Sequence, residues 1–259
     1  MLIRLRADCN YSSKILYAML KVLHFLYQWF VFYPVFAVLT VITAVVTMLF
    51  FPFKNALWLV WVQRLWSRAY FWLTFTKVEV EGGENLTKGQ SYVFVANHQS
   101  ATDVWLIYGY LPVIFKWVMK YELKKVPFIG WGCVAAGHIF INRRSPMLAK
   151  KSLDEAEKVL KGGGVSVVVF PEGTRSVDGQ VGKFKRGAYL IAFDLNLPIV
   201  PITLNGCQDV WKRGSMWINL GKRVKLTIHK PIDNSLYTPD NQMEIIEMSR
   251  NAIISGIER

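Results

Sequence analysis

The chain has 259 residues, which allows one catalytic domain with an additional element and excludes two large domains. It carries 31 lysines and arginines against 18 aspartates and glutamates, and 53% of its residues are hydrophobic, so we expect an anionic membrane surface and no nucleic acid as its partner. The three cysteines are far apart and in no metal-ligand spacing, which argues against a disulfide framework or a zinc site and favours a reducing, cytoplasmic-facing location.

An apolar stretch dominates the first part of the chain. No lysine, arginine, aspartate or glutamate occurs from Val22 to Phe53, a length that is long for one membrane span and short for two. Pro34 interrupts the stretch, so we predict helices over about residues 13–33 and 35–51 that pair as a hairpin in one leaflet of a membrane. A threonine stripe on the second helix requires a partner, for which the first helix is the candidate. The stripe consists of Thr40, Thr43 and Thr47. A secretory signal and a single-pass anchor are the alternatives.

Basic residues flank both ends of the apolar stretch, which suits a hairpin that enters and leaves at the same membrane face. Residues 55–75 follow with several tryptophans and with Arg64 and Arg68 four positions apart, so we predict a helix that lies at the lipid headgroups. Residues 1–75 are therefore predicted as N-terminal membrane-associated helices, and residues 76–259 as the catalytic domain.

After Thr76 the pattern changes to alternating strands and helices. The predicted strands cover residues 77–81, 91–96, 116–119, 138–141, 165–170, 198–204 and 223–229. Helices are predicted near 103–110, from Ser145 to Leu160, and after Pro239, where Ile245, Met248 and Ala252 would form the buried face. The continuous apolar run 165–170 is typical of a strand buried on both faces. We therefore predict an α/β fold with a mixed, largely parallel sheet flanked by helices.

A histidine and an aspartate stand at the end of one predicted strand. His98 follows the strand directly and Asp103 comes five residues later, so a turn into a helix would fold the carboxylate back onto the imidazole. A carboxylate on one ring nitrogen fixes the tautomer and supports the imidazolium, which makes a base that can activate an alcohol. Ser100 and Thr102 lie close enough in sequence for a Ser-His-Asp triad, and they suit turn or helix-cap roles equally well.

The run Phe170–Ser176 follows the most apolar predicted strand and reads FPEGTRS. Open α/β folds bind ligands at the carboxyl ends of parallel strands, Gly173 permits a tight turn, and Arg175 can bind a phosphate with two hydrogen bonds. A Pro-Gly turn with a solvated arginine is the ordinary alternative. Further basic residues follow this and another strand, as expected if they converge on one anion. These are Arg143, Arg144, Lys183, Lys185 and Arg186.

Four blocks in the same order resemble the 1-acylglycerol-3-phosphate O-acyltransferase family, the bacterial lysophosphatidic acid acyltransferases. They are Asn97-His98 with Asp103, Phe140–Arg143, Phe170–Ser176 and Val200–Ile202. Their joint occurrence is specific where each block alone is not. The resemblance covers about residues 77–230 and extends to the N-terminal helical pair, which the family uses to dock on the membrane. It implies the glycerolipid acyltransferase fold. Asn142 departs from the pattern, because an acidic residue is common there.

The resemblance implies that an acyl group passes directly from an acyl thioester to the sn-2 hydroxyl of 1-acyl-glycerol-3-phosphate, giving phosphatidic acid without an acyl-enzyme. The donor would be acyl-acyl-carrier-protein or acyl-coenzyme A, and no metal or other cofactor is expected. His98 would be the general base and Asp103 would orient it. Substrate-binding residues would be Lys120, Arg143, Glu172, Gly173, Thr174 and Arg175. Glu172 would position the glycerol or brace its loop.

Two further expectations complete this prediction. Backbone amides of the Gly173 turn would be oxyanion donors, and the apolar stretch Val126–Ala136 would line an acyl-chain tunnel or form a plain buried loop. The expected location is the cytoplasmic (inner) membrane with the site facing the cytoplasm. Acyltransferases for other lysolipid headgroups or for glycerol-3-phosphate are the near alternatives. A non-catalytic anionic-lipid binder would explain the charge but not His98 and Asp103.

Overall fold

The computed structural model describes residues 2–50, 57–142, 164–238 and 240–258, with single positions 147, 154, 157, 158 and 160. The chain forms two compact units, Met1–Thr40 and Val41–Arg259. The predicted division at residue 75 stays a prediction. Most of the predicted helix from Ser145 to Leu160 lies outside the described residues, although Leu160 itself is buried as its predicted stripe requires.

The N-terminal apolar stretch is helical without a turn at Pro34. Helix α1 spans Leu2–Tyr27, a π-helical segment spans Gln28–Phe32, and helix α2 spans Tyr33–Phe50. Within it, Lys14–Phe50 is one helix long and apolar enough to cross a membrane. The predicted break at Pro34, and the hairpin of 13–33 against 35–51, are therefore wrong. A wider π turn directly before the proline makes room for its ring and tolerates the missing N–H, which is how proline is commonly accommodated inside a helix.

The threonine side of α2 also faces a different partner from the one predicted. Ala44 and Thr47 are buried, and a Cβ built on Gly132 would lie only 3.3 Å from the Ala44 side chain. Gly132 belongs to helix α5, Ile129–Ala135. The Thr47 hydroxyl donates to the Thr43 carbonyl at 2.7 Å, so the buried polar group is satisfied within its own helix. Within the second unit, the part of α2 that carries Ala44 thus packs on α5.

Seven strands form one sheet among the described residues. They are β1 Lys77–Glu81, β2 Val93–Ala96, β3 Phe115–Lys120, β4 Ile139–Ile141, β5 Ser166–Val169, β6 Ile199–Asn205 and β7 Arg223–Ile228. Their order is β1-β7-β6-β2-β5-β3-β4, and every neighbouring pair is parallel except β6 and β7. The remaining helices are α3 Leu57–Leu73, α4 Thr102–Tyr110, α6 Leu190–Asp194, α7 Cys207–Val210 and α8 Gln242–Ser255. The predicted α/β fold with a mixed, largely parallel sheet is confirmed.

The core lies on the central strands, because β2, β5 and β6 are buried along their whole length. Helix α8 covers part of one sheet face, but its buried face is Ile245, Ile246, Ser249 and Ile253, whereas Met248 is 44% exposed. Of the predicted face, Ile245 is confirmed, Ala252 is half-buried and Met248 is wrong, because the polar Ser249 takes a buried position next to it. Ser249 shares a 2.6 Å hydrogen bond with the Tyr189 hydroxyl, which a search for apolar spacing overlooks.

Helix α3 packs against α4 through the buried side chains of Tyr70 and Phe71. The two arginines expected at lipid headgroups instead bind carbonyl groups at the end of α4. Arg68 donates to the Gly109 carbonyl at 3.1 Å, and Arg64 donates to the Leu111 carbonyl at 3.0 Å. The last carbonyls of a helix have no partner within it, so these cations stabilise the end of α4.

Candidate active site

The sequence-predicted residues meet at one edge of the sheet. β2 and β5 are parallel neighbours with Val95 opposite Val169, so His98 and the Phe170–Ser176 run leave the sheet side by side. β3 lies on the other side of β5 and ends at Lys120. Arg143 follows β4 in sequence but lies outside the described residues. Parallel topology thus brings the chain segments that follow three strands to one ligand-binding edge.

His98 and Asp103 form a hydrogen-bonded pair, with Nδ1 of the imidazole 2.8 Å from Oδ2 of the carboxylate. Asp103 is fully buried at the start of α4, and its Oδ2 also accepts the N–H groups of Gln99 at 2.7 Å and Ser100 at 2.8 Å. Three donors around one oxygen hold the carboxylate in a single orientation. The network assigns the proton to Nδ1, which leaves the lone pair on Nε2 of His98, a side chain that is 17% exposed.

Ser100 and Thr102 act as structural groups at this turn. The Ser100 hydroxyl donates to the Trp211 carbonyl at 2.6 Å and accepts the Thr102 N–H at 3.1 Å, while the Thr102 hydroxyl pairs with the Tyr70 hydroxyl at 2.8 Å. Both residues are fully buried. Neither hydroxyl is placed to attack an acyl group, and none of the described side chains caps the start of α4, so the geometry favours the turn role over a Ser-His-Asp triad.

Glu172 joins three segments rather than pointing into solvent. Its Oε1 accepts the backbone N–H of His98 at 2.9 Å and its Oε2 accepts that of Gly182 at 3.1 Å. Burial raises the pKa of Glu172, and the two backbone donors partly oppose that rise. Arg250 of α8 in turn donates to the carbonyls of Val181 at 3.0 Å and Gly182 at 2.9 Å. Glu172 is therefore placed to brace the turn that carries His98.

Two cations follow strands that end at this edge of the sheet. Lys120 is exposed at the end of β3, and Arg175 and Thr174 are exposed in the run that follows β5. Gly173 has a φ of 74°, which favours glycine, but its N–H already donates to the Phe170 carbonyl at 3.1 Å. The Gly173 amide itself is therefore engaged in the turn instead of being an oxyanion donor.

Sequence reasoning missed Arg213, whose guanidinium donates to the carbonyl of Arg175. A basic pair before a glycine, Lys212-Arg213-Gly214, was the available signal. Because Arg213 lies 38 residues after Arg175, the sequence does not predict that the two residues are in contact.

An open cavity of about 510 Å³ lies beside the segment that follows β3, a size typical of ligand pockets. It is lined by Met48, Lys124, Trp131, Val134 and Ala135. Three of these residues come from the predicted apolar stretch Val126–Ala136, whereas the contribution of Met48 from α2 was not foreseen.

Aromatic contacts behind the pair were also missed. The His98 ring stacks on Phe170, and Phe170 stacks on Trp117. The backbone N–H of Trp117 donates to Nδ1 of His138 at 3.2 Å, and the Tyr108 hydroxyl contacts Nε2 of the same imidazole. Burial lowers the pKa of His138 to about 3, so this histidine is neutral and belongs to the core.

Comparison with known proteins gives one consistent picture. The family model described as Acyltransferase matches residues 77–205. A chloroplastic 1-acyl-sn-glycerol-3-phosphate acyltransferase of Arabidopsis thaliana is 37% identical over 175 residues, covering 67% of this chain and 48% of the relative. The alpha form of 1-acyl-sn-glycerol-3-phosphate acyltransferase of Homo sapiens is 32% identical over 179 residues, covering 69% and 63%.

A solved structure is similar over nearly the whole chain. The 1-acyl-sn-glycerophosphate (LPA) acyltransferase PlsC of Thermotoga maritima matches with a TM-score of 0.77 and 29% identity, covering 91% of this chain and 95% of that one. The chain spans only about half the length of the plant relative and somewhat under two thirds of the human one.

Proposed function

The chain belongs to the acyltransferase family, and from this premise we propose that it transfers a fatty acyl group from an acyl thioester to the sn-2 hydroxyl of 1-acyl-glycerol-3-phosphate. The product is phosphatidic acid. The observation that carries the proposal is the 2.8 Å pair of His98 and Asp103 at the carboxyl edge of the parallel strands, with Lys120 and Arg175 at the same edge. The names of the matched relatives support the same reaction.

The reaction begins at Nε2 of His98. This atom takes the proton of the sn-2 hydroxyl while Asp103 stabilises the positive charge on the imidazole. The hydroxyl oxygen attacks the thioester carbonyl carbon and forms a tetrahedral intermediate. The C–S bond then breaks, and the imidazolium returns the proton to the departing sulfur, so the products are an ester and a free thiol. No acyl-enzyme is needed, in keeping with the buried, hydrogen-bonded hydroxyls of Ser100 and Thr102.

The phosphate of the acceptor is held by cations at the strand ends. Lys120 and Arg175 are exposed, as a binding role requires, and Arg175 can offer two parallel N–H donors. Thr174 and Arg143 complete the proposed set. Glu172 acts as a brace in this proposal, because both of its oxygens already accept backbone N–H groups.

The acyl chain of one substrate occupies the cavity lined by Met48 and Trp131 in this proposal. Around it, large apolar side chains are between 37% and 52% exposed. They are Leu123, Val126, Phe128, Ile129, Trp131 and Val134. Lys120, Lys124 and Lys125 lie beside them, a combination that suits an anionic membrane surface. Lipid substrates would then enter from the bilayer.

We place the protein at the cytoplasmic (inner) membrane with the site facing the cytoplasm, held by the apolar helix Lys14–Phe50. Acyl-acyl-carrier-protein and acyl-coenzyme A both fit the proposed donor role. Paired assays with the two thioesters distinguish them.

The test is phosphatidic acid formation by detergent-solubilised protein from lysophosphatidic acid and a palmitoyl thioester. A panel of other lysolipids and glycerol-3-phosphate is assayed in parallel. His98→Ala is compared with His229→Gln, a matched control. His229 follows β7, which lies two strands away from β2 in the sheet, and its Nε2 shares a 2.8 Å hydrogen bond with the Thr203 hydroxyl, so it is not part of the His98–Asp103 pair.

We expect turnover of lysophosphatidic acid that is lost in His98→Ala and kept in His229→Gln. Turnover unchanged in His98→Ala would refute the mechanism. Activity only on another lysolipid would keep the reaction and change the acceptor, and protein that binds anionic vesicles without turning over any lysolipid would point to the non-catalytic alternative.

A further inference from the structure

Three aromatic rings from adjacent strands stack at the proposed base. The register pairs Phe94 of β2 with Val168 of β5, and Val168 with Trp117 of β3. Side chains alternate between the two faces of a sheet, so Phe170, two residues beyond Val168, and His98, four beyond Phe94, lie on the face of Trp117. The order β2-β5-β3 then sets the three rings in a row.

The contacts within this row are close. The ring centroids of His98 and Phe170 are 3.9 Å apart with an interplanar angle of 10°. Those of Phe170 and Trp117 are 5.4 Å apart at 26°. Trp117 is 4% exposed, so the ring behind Phe170 has no room to move away.

We propose that Phe170 is a positioning residue that sets the plane of the His98 imidazole. The inference rests on the proposed function, in which Nε2 of His98 takes the proton. The Cγ–Cβ bond and the hydrogen bond from Nδ1 to Asp103 hold one side of the ring but do not fix the tilt of its plane. A flat ring against one face limits this tilt, so Nε2 keeps one direction toward the acceptor hydroxyl. An aromatic face also attracts the positive charge that the imidazole gains during the reaction.

A phenylalanine that served only to fill space would be replaceable by leucine, which keeps most of the apolar volume and lacks the flat ring. The loss would then appear in stability and not in the rate of the chemical step. A positioning role predicts instead that the rate of the chemical step falls. The variants are chosen to separate a loss of rate from a loss of stability.

The kinetic test compares Phe170→Leu with Phe170→Tyr and with Phe193→Leu. Phe193 is half-buried and packs on Tyr189 and Tyr237 in another part of the domain, so its variant matches the chemical change away from the site. For Phe170→Leu we expect kcat to fall about 10- to 100-fold with KM for the lysolipid within about threefold. Phe170→Tyr keeps the ring and restores most of kcat, and Phe193→Leu stays near the wild-type rate.

A spectroscopic test needs no substrate. The stacked ring of Phe170 shifts the carbon-bound ring protons of His98 upfield, so their NMR signals move downfield in Phe170→Leu. The chain has four histidines, and the signals absent from His98→Ala identify the relevant pair. Phe193→Leu leaves these signals in place.

Three outcomes would overturn the positioning role. These are a kcat of Phe170→Leu within twofold of Phe193→Leu, equal losses in Phe170→Leu and Phe170→Tyr, and His98 signals that do not move. In each of these outcomes the wild type still acylates lysophosphatidic acid. The proposed function is therefore kept, and only the positioning role of Phe170 is lost. Absence of turnover on every acceptor by the wild type instead overturns the proposed function, and the NMR result then reports the stack alone.

Discussion

The carboxylate of Asp103 has two roles: it accepts backbone N–H groups, and its charge supports the imidazolium of His98. Replacing Asp103 by alanine or by asparagine separates these roles. Its Oδ2 accepts hydrogen bonds from His98 Nδ1 and from the N–H groups of Gln99 and Ser100, all within 2.8 Å, and the residue is fully buried. Alanine leaves two buried backbone N–H groups without an acceptor, at about 1–3 kcal/mol each. The expected destabilisation of about 2–6 kcal/mol is a large fraction of a total stability of about 5–15 kcal/mol.

Asparagine keeps an acceptor oxygen for those N–H groups but removes the charge that supports the imidazolium of His98. We therefore expect Asp103→Asn to fold with a smaller loss of stability and to lose about 10³- to 10⁴-fold in kcat. The assays are thermal unfolding in detergent and initial rates of phosphatidic acid formation. Asp194→Asn, an exposed aspartate at the end of α6, is the matched control.

Two results would contradict this reasoning. Asp103→Asn that keeps more than a tenth of the wild-type kcat would show that the charge does not assist the base. Asp103→Ala that unfolds at the same temperature as Asp103→Asn would show that the backbone N–H groups find other acceptors, and that the hydrogen-bond energies do not apply here.

Three further predictions concern stability. Glu172→Gln sets an amide NH₂ against one backbone N–H and should cost about 1–3 kcal/mol, measured by thermal unfolding in detergent; an unchanged Tm would contradict the brace. Gly206→Ala should cost about 3 kcal/mol or more, because its φ is 74° and a Cβ would lie 2.2 Å from the Arg223 carbonyl oxygen. Gly214→Ala, with a φ of 78° and open space, should cost only about 1 kcal/mol, and equal losses in urea unfolding would refute the clash. His138, whose pKa is lowered from 6.5 to about 3, binds a proton more readily when unfolded, so its stabilisation is complete above pH 6.5 and falls as pH drops toward 3. Relative to His138→Phe, the wild type should lose about 2 kcal/mol between pH 7 and pH 5, and parallel pH dependence of the two proteins would contradict this.

The parts of the fold that are set by short segments were predictable from the sequence. The apolar run 165–170 gave a strand at Ser166–Val169, and the strand at Lys77–Glu81 has the predicted bounds. The approach of Asp103 to His98 followed from a spacing of five residues, because one turn into a helix is enough to bring them together. In these cases the local backbone decides the geometry.

The parts that depend on distant partners were not predictable. Ser249 lies on the buried face of α8 only because the Tyr189 hydroxyl meets it, and Phe170 reaches His98 only because β2 and β5 are neighbours. Strand order and side-chain pairing of this kind arise from tertiary packing. The predicted break at Pro34 was wrong for another reason. A π turn before a proline has no simple sequence pattern by which it could be predicted.

The contacts around Glu172 give the active site a support that begins on the last helix. Arg250 of α8 holds the carbonyls of Val181 and Gly182, the Gly182 N–H binds Glu172, and Glu172 binds the backbone N–H of His98. A random-mutagenesis screen for inactive enzyme will therefore collect substitutions on α8, a surface that touches no reacting atom. A fusion partner attached after that helix must therefore leave Arg250 free to bind the carbonyls of Val181 and Gly182.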